Sequence, residues 1–154
     1  MKEKKEFLRN KLIQFQRKIA DQNHELAQQQ EEFRQREHSY YMSLFEILDA
    51  FENIDATLES KKDELDKTAK MLGRNIRSIH KKVSRLVRSA DIVPIEFPDN
   101  RAIMTLCKVV ETRSDPELEN ETIISIVKNG YINMADGTVL RKAEVITIFN
   151  NESL

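Results

Sequence analysis

The sequence predicts an α+β protein with three parts. These are a long N-terminal helix paired coiled-coil-like with a second copy, a helical hairpin forming a dimeric four-helix bundle, and a small C-terminal β domain. Three observations predict it. No proline precedes Pro94, and Gly73 is the only glycine before it, which permits helix over about the first 90 residues. Apolar residues recur every seven positions through the first third of the chain. After Asp91 the language changes to short β-rich runs punctuated by Pro94, Pro98 and Asp136-Gly137. The expected division is 1–91 for the helical, dimerising part and 92–154 for the β-rich part.

With Leu12 at heptad position a, Ile19, Leu26, Phe33, Tyr40, Ile47 and Ile54 all fall at a. Leu8 and Phe15 hold d, but Gln22, Gln29, Arg36 and Ser43 follow them there. A sustained a seam signals a coiled coil, and polar d positions predict loose packing in its middle. A helix from residue 4 to 58 would reach roughly 80 Å at about 1.5 Å per residue. With this seam open to water it needs a partner, and a homodimer is the simplest one.

The pattern breaks around Leu58-Glu59-Ser60-Lys61-Lys62, and a second helix is predicted from Asp63 to Ala90. Its apolar face is Leu65, Ala69, Leu72, Ile76, Ile79, Val83, Leu86 and Ala90. Gly73 inside it costs about 1 kcal/mol against Ala, which a hinge or a close helix crossing would explain. Two such hairpins, one per chain, give a four-helix bundle. The predicted dimer contacts are the seven a residues with Phe15 on the first helix, and Leu72, Ile76, Ile79 and Val83 on the second. In the last third, strands are predicted at Ile103–Glu111, Glu121–Lys128, Thr138–Arg141 and Glu144–Phe149, with Asp136-Gly137 as a hairpin turn.

Composition excludes several classes of function. Charged residues make up 33% and apolar residues 40%, with no Trp, as in a helix-rich, solvent-laced protein rather than a compact enzyme core. The net charge of -1 leaves no global electrostatic partner, so nucleic-acid or membrane affinity would have to be local. The single Cys107 reads as a buried free thiol in a reducing compartment. The charged start Met1-Lys2-Glu3-Lys4-Lys5-Glu6 argues against a secretory signal or transit peptide, and no apolar run approaches a membrane span. A cytoplasmic protein is expected. His24 and His38 fall at outer heptad positions without ligand-spaced neighbours, and His80 stands apart on the second helix, so no metal site is expected. No nucleophile constellation, phosphate-binding loop or dinucleotide fingerprint occurs, so no enzyme and no cofactor are expected.

Charge is strongly segregated. Between His38 and Ser60 there is no Lys or Arg, while Glu46, Asp49, Glu52, Asp55 and Glu59 occur there. Between Lys67 and Ala90 there is no acid, while Lys67, Lys70, Arg74, Arg77, Lys81, Lys82, Arg85 and Arg88 occur there. The preferred reading is mutual neutralisation of two antiparallel helices across the turn. The alternative is a basic helix, 67–88, gripping nucleic acid or an acidic membrane surface.

The last third also carries a resemblance. Val109-Val110-Glu111, the run Ile123 to Lys128 leading into Asn129-Gly130-Tyr131, and Val139-Leu140-Arg141-Lys142-Ala143-Glu144-Val145 resemble the C-terminal domain of GrpE proteins. Leu44 to Leu58 resembles that family's bundle helix. GrpE proteins are dimeric nucleotide exchange factors of DnaK-type heat-shock chaperones. The resemblance implies a β domain that wedges into the nucleotide-binding lobe of the chaperone ATPase domain and promotes ADP release. The expected partner-binding residues are Val110, Lys128, Gly130, Tyr131, Val139, Leu140 and Arg141. Arg141 is the expected anchor, as an Arg on a short exposed strand. Asp55-Ala56 stands where the family has Glu-Arg. Phe97-Pro98-Asp99-Asn100-Arg101 leads directly into Ala102, without the family's His-containing loop, and Lys142 replaces a proline. These departures favour, as the alternative function, a non-exchanging dimeric scaffold for a dedicated partner.

Overall fold

The computed structural model describes residues 1–151. Two helices come first, α1 (Lys2–Ser60) and α2 (Lys67–Ser89), followed by six short strands. The α+β class and its order of elements are as the sequence predicts. The chain divides into two compact units, Met1–Tyr40 and Tyr41–Leu154. Within the first, α1 is exposed throughout, and Leu12, Phe15, Ile19, Leu26, Phe33 and Tyr40 stand open to solvent.

Within the second unit, the last turns of α1 and the whole of α2 form the hairpin. Helix α2 starts four residues later than predicted, because the Asp66 side chain accepts a 2.7 Å hydrogen bond from the Ala69 amide and caps it. It ends where Asp91 takes a left-handed φ of 59°, a place usually held by Gly or Asn. Gly73 marks a close crossing: a Cβ there would lie 3.1 Å from Leu58 Cδ1. The predicted apolar face of α2 is two faces. Gly73 and Val87 are buried, with Ile76 and Val83 half-buried, whereas Leu72, Ile79 and Leu86, seven apart, are exposed. Ile47 and Ile54 of α1 are exposed as well.

The strands are β1 (Ile92–Pro94), β2 (Cys107–Arg113), β3 (Ile123–Lys128), β4 (Tyr131–Asn133), β5 (Val139–Arg141) and β6 (Ala143–Ile148). They form two three-stranded sheets, ordered β1-β4-β5 and β2-β6-β3. The first is antiparallel; in the second, β6 is central, parallel to β2 and antiparallel to β3. Strands β1 and β4 lie outside the predicted runs, and Pro94, expected to end the helical stretch, closes an edge strand that, among the described residues, pairs only with β4. An edge strand tolerates a residue with no N–H to donate. Strand β2 begins at Cys107 rather than Ile103, because Leu106 N and Cys107 N both turn back to Ile103 O. Cys107 is a buried free thiol whose Sγ donates to the same carbonyl at 3.2 Å.

β3–β4 and β5–β6 are the two arms of one bent hairpin that runs through both sheets. Its tip is the turn at Asp136-Gly137, with Gly137 at φ 74° and Asp136 Oδ1 accepting from Thr138 N at 2.8 Å. Its bend is where the arms cross from sheet to sheet, at Asn129-Gly130 and at Lys142. There the backbones press together: a Cβ on Gly130 would collide with Ala143 N and come within 2.8 Å of Arg141 O and Ile95 Cδ1. One core, Ile95, Phe97, Cys107, Ile123, Ala143 and Val145, draws on the second sheet and the segment after β1. The other, Phe45, Leu48, Val87, Ile92 and Tyr131, joins the first sheet to both helices.

Because two of the three collisions at Gly130 are with backbone, Gly130→Ala is expected to destabilise the protein by about 1–3 kcal/mol, as overpacking does. Gly137→Ala, where an added Cβ meets nothing within 4 Å, adds only the strain of the left-handed φ, about 1 kcal/mol. Urea midpoints compare the two; an unchanged midpoint for Gly130→Ala would show that the bend can open without cost.

Candidate functional site

The most highly organised polar cluster sits where the hairpin bend meets α1. Helical spacing sets Phe45, Asp49 and Glu52 along one side of α1, three to four residues apart. Strand β5 ends at Arg141, which lies opposite Tyr131 of β4 in the register. The Arg141 guanidinium makes a two-pronged ion pair with Asp49: Nη1 donates to Oδ2 at 2.8 Å and Nη2 to Oδ1 at 2.7 Å. Nε and Nη2 also donate to the Asn129 carbonyl, at 3.0 and 2.7 Å. Asn129 in turn donates from Nδ2 to Glu52 Oε1 at 2.7 Å. The Phe45 and Tyr131 rings stack 4.0 Å apart, within 3° of parallel. The guanidinium carbon lies 5.4 and 5.3 Å from their centroids.

Both side chains of the ion pair are 14% exposed. Burial works against the arginine charge, but the hydrogen bonds and charge of Asp49 outweigh it and hold the guanidinium above its ordinary pKa. Tyr131 is pushed up to about 12, first by burial and then by the nearby Glu52 carboxylate, with Arg141 pulling the other way.

These positions redistribute the residues expected to bind a partner. Arg141 was expected on an exposed strand; it is instead enclosed, because its acceptors lie on α1 and in the adjacent bend. Tyr131 packs on Phe45 of α1 rather than across the sheet, and Gly130 is buried at the bend. Val139 and Leu140 are half-buried, each packed against one of the two cores. Lys128 and Val110 are exposed, on β3 and β2. Alongside them Ile124, Ile126 and Val127 are also exposed, Val127 by 52%. Sequence reading included the β3 run in the resemblance but did not single out these three. The run Ile123-Ile124-Ser125-Ile126-Val127 does not alternate, so it hides which side chains face inward.

The charge segregation resolves into three groups. Asp49 and Glu52 serve the bend. Asp55 accepts from Arg77 at 3.1 Å and faces His80 Nδ1 at 3.1 Å, while Glu59 meets Arg77 at 3.4 Å. His80 also stacks on Phe51, 5.4 Å between centroids. Charge pairing between the helices, among the described residues, reaches only Arg77, with His80 hydrogen-bonded beside it to Asp55. Among the described residues, Lys67, Lys70, Arg74, Lys81, Lys82, Arg85 and Arg88 make no ion pair. His24 and His38 are exposed on α1. No helix among the described residues is long and apolar enough to cross a membrane.

The chain matches the GrpE family over residues 1–148 and belongs to that family. No curated protein matches it. GrpE proteins are nucleotide exchange factors that act with DnaK-type chaperones, so at the level of the family the role is that of a co-chaperone.

The raised pKa of Tyr131 sets a pH dependence. The folded protein holds the phenolic proton more tightly than the unfolded chain. The resulting stability is fully present below the ordinary value of 10.0 and is lost as pH rises towards about 12. A shift of this size corresponds to about 2–3 kcal/mol. Chemical unfolding between these pH values is expected to show that decline in the wild type and to lack it in Tyr131→Phe. Equal slopes for the two would show that another group governs alkaline unfolding.

Proposed function

We propose that this protein is a dimeric adenine-nucleotide exchange factor for a DnaK-type chaperone. The observation that carries the reading is the family match across nearly the whole chain, on a chain with the long helix, hairpin and β domain that the role requires. Residues 1–91 form the dimerising part and 92–154 the chaperone-binding part, of which 152–154 lie outside the described residues. The mechanism is mechanical. The β domain binds the open form of the nucleotide cleft more tightly than the closed, ADP-holding form. That differential affinity moves the cleft towards open and speeds ADP loss. Val110 and Lys128, with Ile124, Ile126 and Val127, supply exposed surface on the two outer strands of the second sheet; a docked lobe would desolvate it. No group of this protein reacts, so no cofactor or catalytic residue is called for.

Dimerisation follows from the same physics on the helices. The a-position residues of α1, with Leu72 and Ile79 of α2, are too apolar and too regularly spaced to remain in water. Leu86 extends that row. Ile76 and Val83, half-buried inside the hairpin, support the face rather than form it. Sedimentation at micromolar concentration is expected to give twice the chain mass. Ile79→Glu combined with Leu72→Glu is expected to give a monomer. A wild-type monomer would refute the paired architecture.

The direct test of function is the release of fluorescent ADP from a DnaK-type ATPase domain with and without the protein. Acceleration by the wild type, lost in Val127→Glu and in residues 1–91 alone, is the expected result. Binding without acceleration would identify a non-exchanging scaffold instead.

The seven unpaired basic residues of α2 favour a second reading, a local polyanion-binding face. Duplex nucleic acid bound there would lose affinity steeply with salt, with a slope of about -0.9 per phosphate contact neutralised. Absence of binding at low salt would dismiss it.

A further inference from the structure

We propose that Asp49 and Arg141 form an internal latch that sets the pose of the β domain on the helices. Arg141 then serves exchange as a positioning residue and not as a chaperone contact. The inference rests on the exchange reading above for its consequence, but the latch itself stands on geometry. A guanidinium has five N–H donors in a fixed plane. Four are engaged here, two by the Asp49 carboxylate and two by the Asn129 carbonyl. The stacked Phe45 and Tyr131 rings lie along one side of it, their centroids 5.4 and 5.3 Å from the guanidinium carbon. Little of the group remains to offer a partner.

Its position in the chain is as telling as its contacts. Asp49 and Arg141 are 92 residues apart, so the pair joins a helix to a strand and not neighbours within one element. Glu52, one turn along α1, holds the same bend through Asn129. The bend is where both hairpin arms pass from the sheet packed on the helices to the sheet carrying Val110, Ile124, Ile126 and Val127. Lys142, on the other arm, is tied from Nζ to Met104 O at 2.8 Å. Acids on α1 thus grip the pivot from which the partner-facing sheet extends. A small rotation there displaces the far sheet by much more than it displaces the pivot.

The test compares Asp49→Asn, Arg141→Lys and their double variant with the wild type, all as full-length chains. Asp49 touches no proposed chaperone surface, and Arg141→Lys keeps a cation while losing the planar fork. Hydrogen exchange at the amides of Gly130, Tyr131 and Ala143 reports the latch without any chaperone. It is expected to speed up in both single variants, with no further increase in the double. With the ATPase domain, both are expected to lower the saturated ADP-release rate by up to roughly a hundredfold, the scale on which misplacement of about 1 Å acts. The concentration giving half the maximal effect should stay unchanged. Arg141→Lys raising that concentration while Asp49→Asn behaves as wild type would overturn the proposal and return Arg141 to the role of a direct contact. Unchanged hydrogen exchange in both variants would overturn it too. If the wild type itself fails to accelerate release, the exchange reading falls, while hydrogen exchange still decides whether the latch exists.

Discussion

The largely enclosed ion pair between Asp49 and Arg141 is the constraint on which the second unit is built. Two charges this enclosed forfeit much hydration, and they are tolerable only where geometry and extra hydrogen bonds compensate. Both conditions hold: the pairing is two-pronged, and two further donors reach the Asn129 carbonyl. Removing one partner would strand the other, which in comparable sites costs about 3–5 kcal/mol. The pair also fixes where the aromatic stack lies. With Arg141 opposite Tyr131 in the sheet register, bringing the guanidinium to Asp49 brings the Tyr131 ring to Phe45, four residues earlier on the same helix.

Around that point the protein divides its apolar surface into what the chain buries alone and what it leaves open. The helix–sheet core takes Phe45, Leu48, Val87, Ile92 and Tyr131. The rows Ile47 and Ile54 on α1, and Leu72, Ile79 and Leu86 on α2, remain in solvent. Helix α2 thus carries one apolar stripe inward and another outward. Gly73 makes the inner layer thin, since its missing side chain lets Leu58 approach.

Much of this architecture is legible in the sequence because long periodic helices and alternating runs repeat their signal many times. The heptad through α1, the break before α2, the turn at Asp136-Gly137 and the free buried Cys107 could all be read directly. Three-residue strands give no such repetition. β1 and β4 were missed because Ile92-Val93-Pro94 and Tyr131-Ile132-Asn133 are too short to show alternation, and Pro94 reads as a break unless its strand is known to be an edge. The start of α2 moved to Lys67 because one side chain, Asp66, decides it. The enclosure of Arg141 was invisible for a different reason. An Arg in a short strand looks like surface, and its carboxylate lies on another element far back in the chain.

The acidic row on α1 shows how one sequence feature can hold two structural roles. Asp49, Glu52 and Asp55 are spaced by three, and on a helix of 3.6 residues per turn each step of three turns the side chain back by about 60°. Read linearly they form a single acidic face. In three dimensions the row winds around α1, so that Asp49 and Glu52 meet the hairpin bend while Asp55, with Glu59 one turn on, meets Arg77 and His80 of α2. The acids that seemed available to neutralise the basic helix are therefore partly spent on the β domain. The open basic stripe of α2 and the buried latch at Arg141 are two consequences of the same winding.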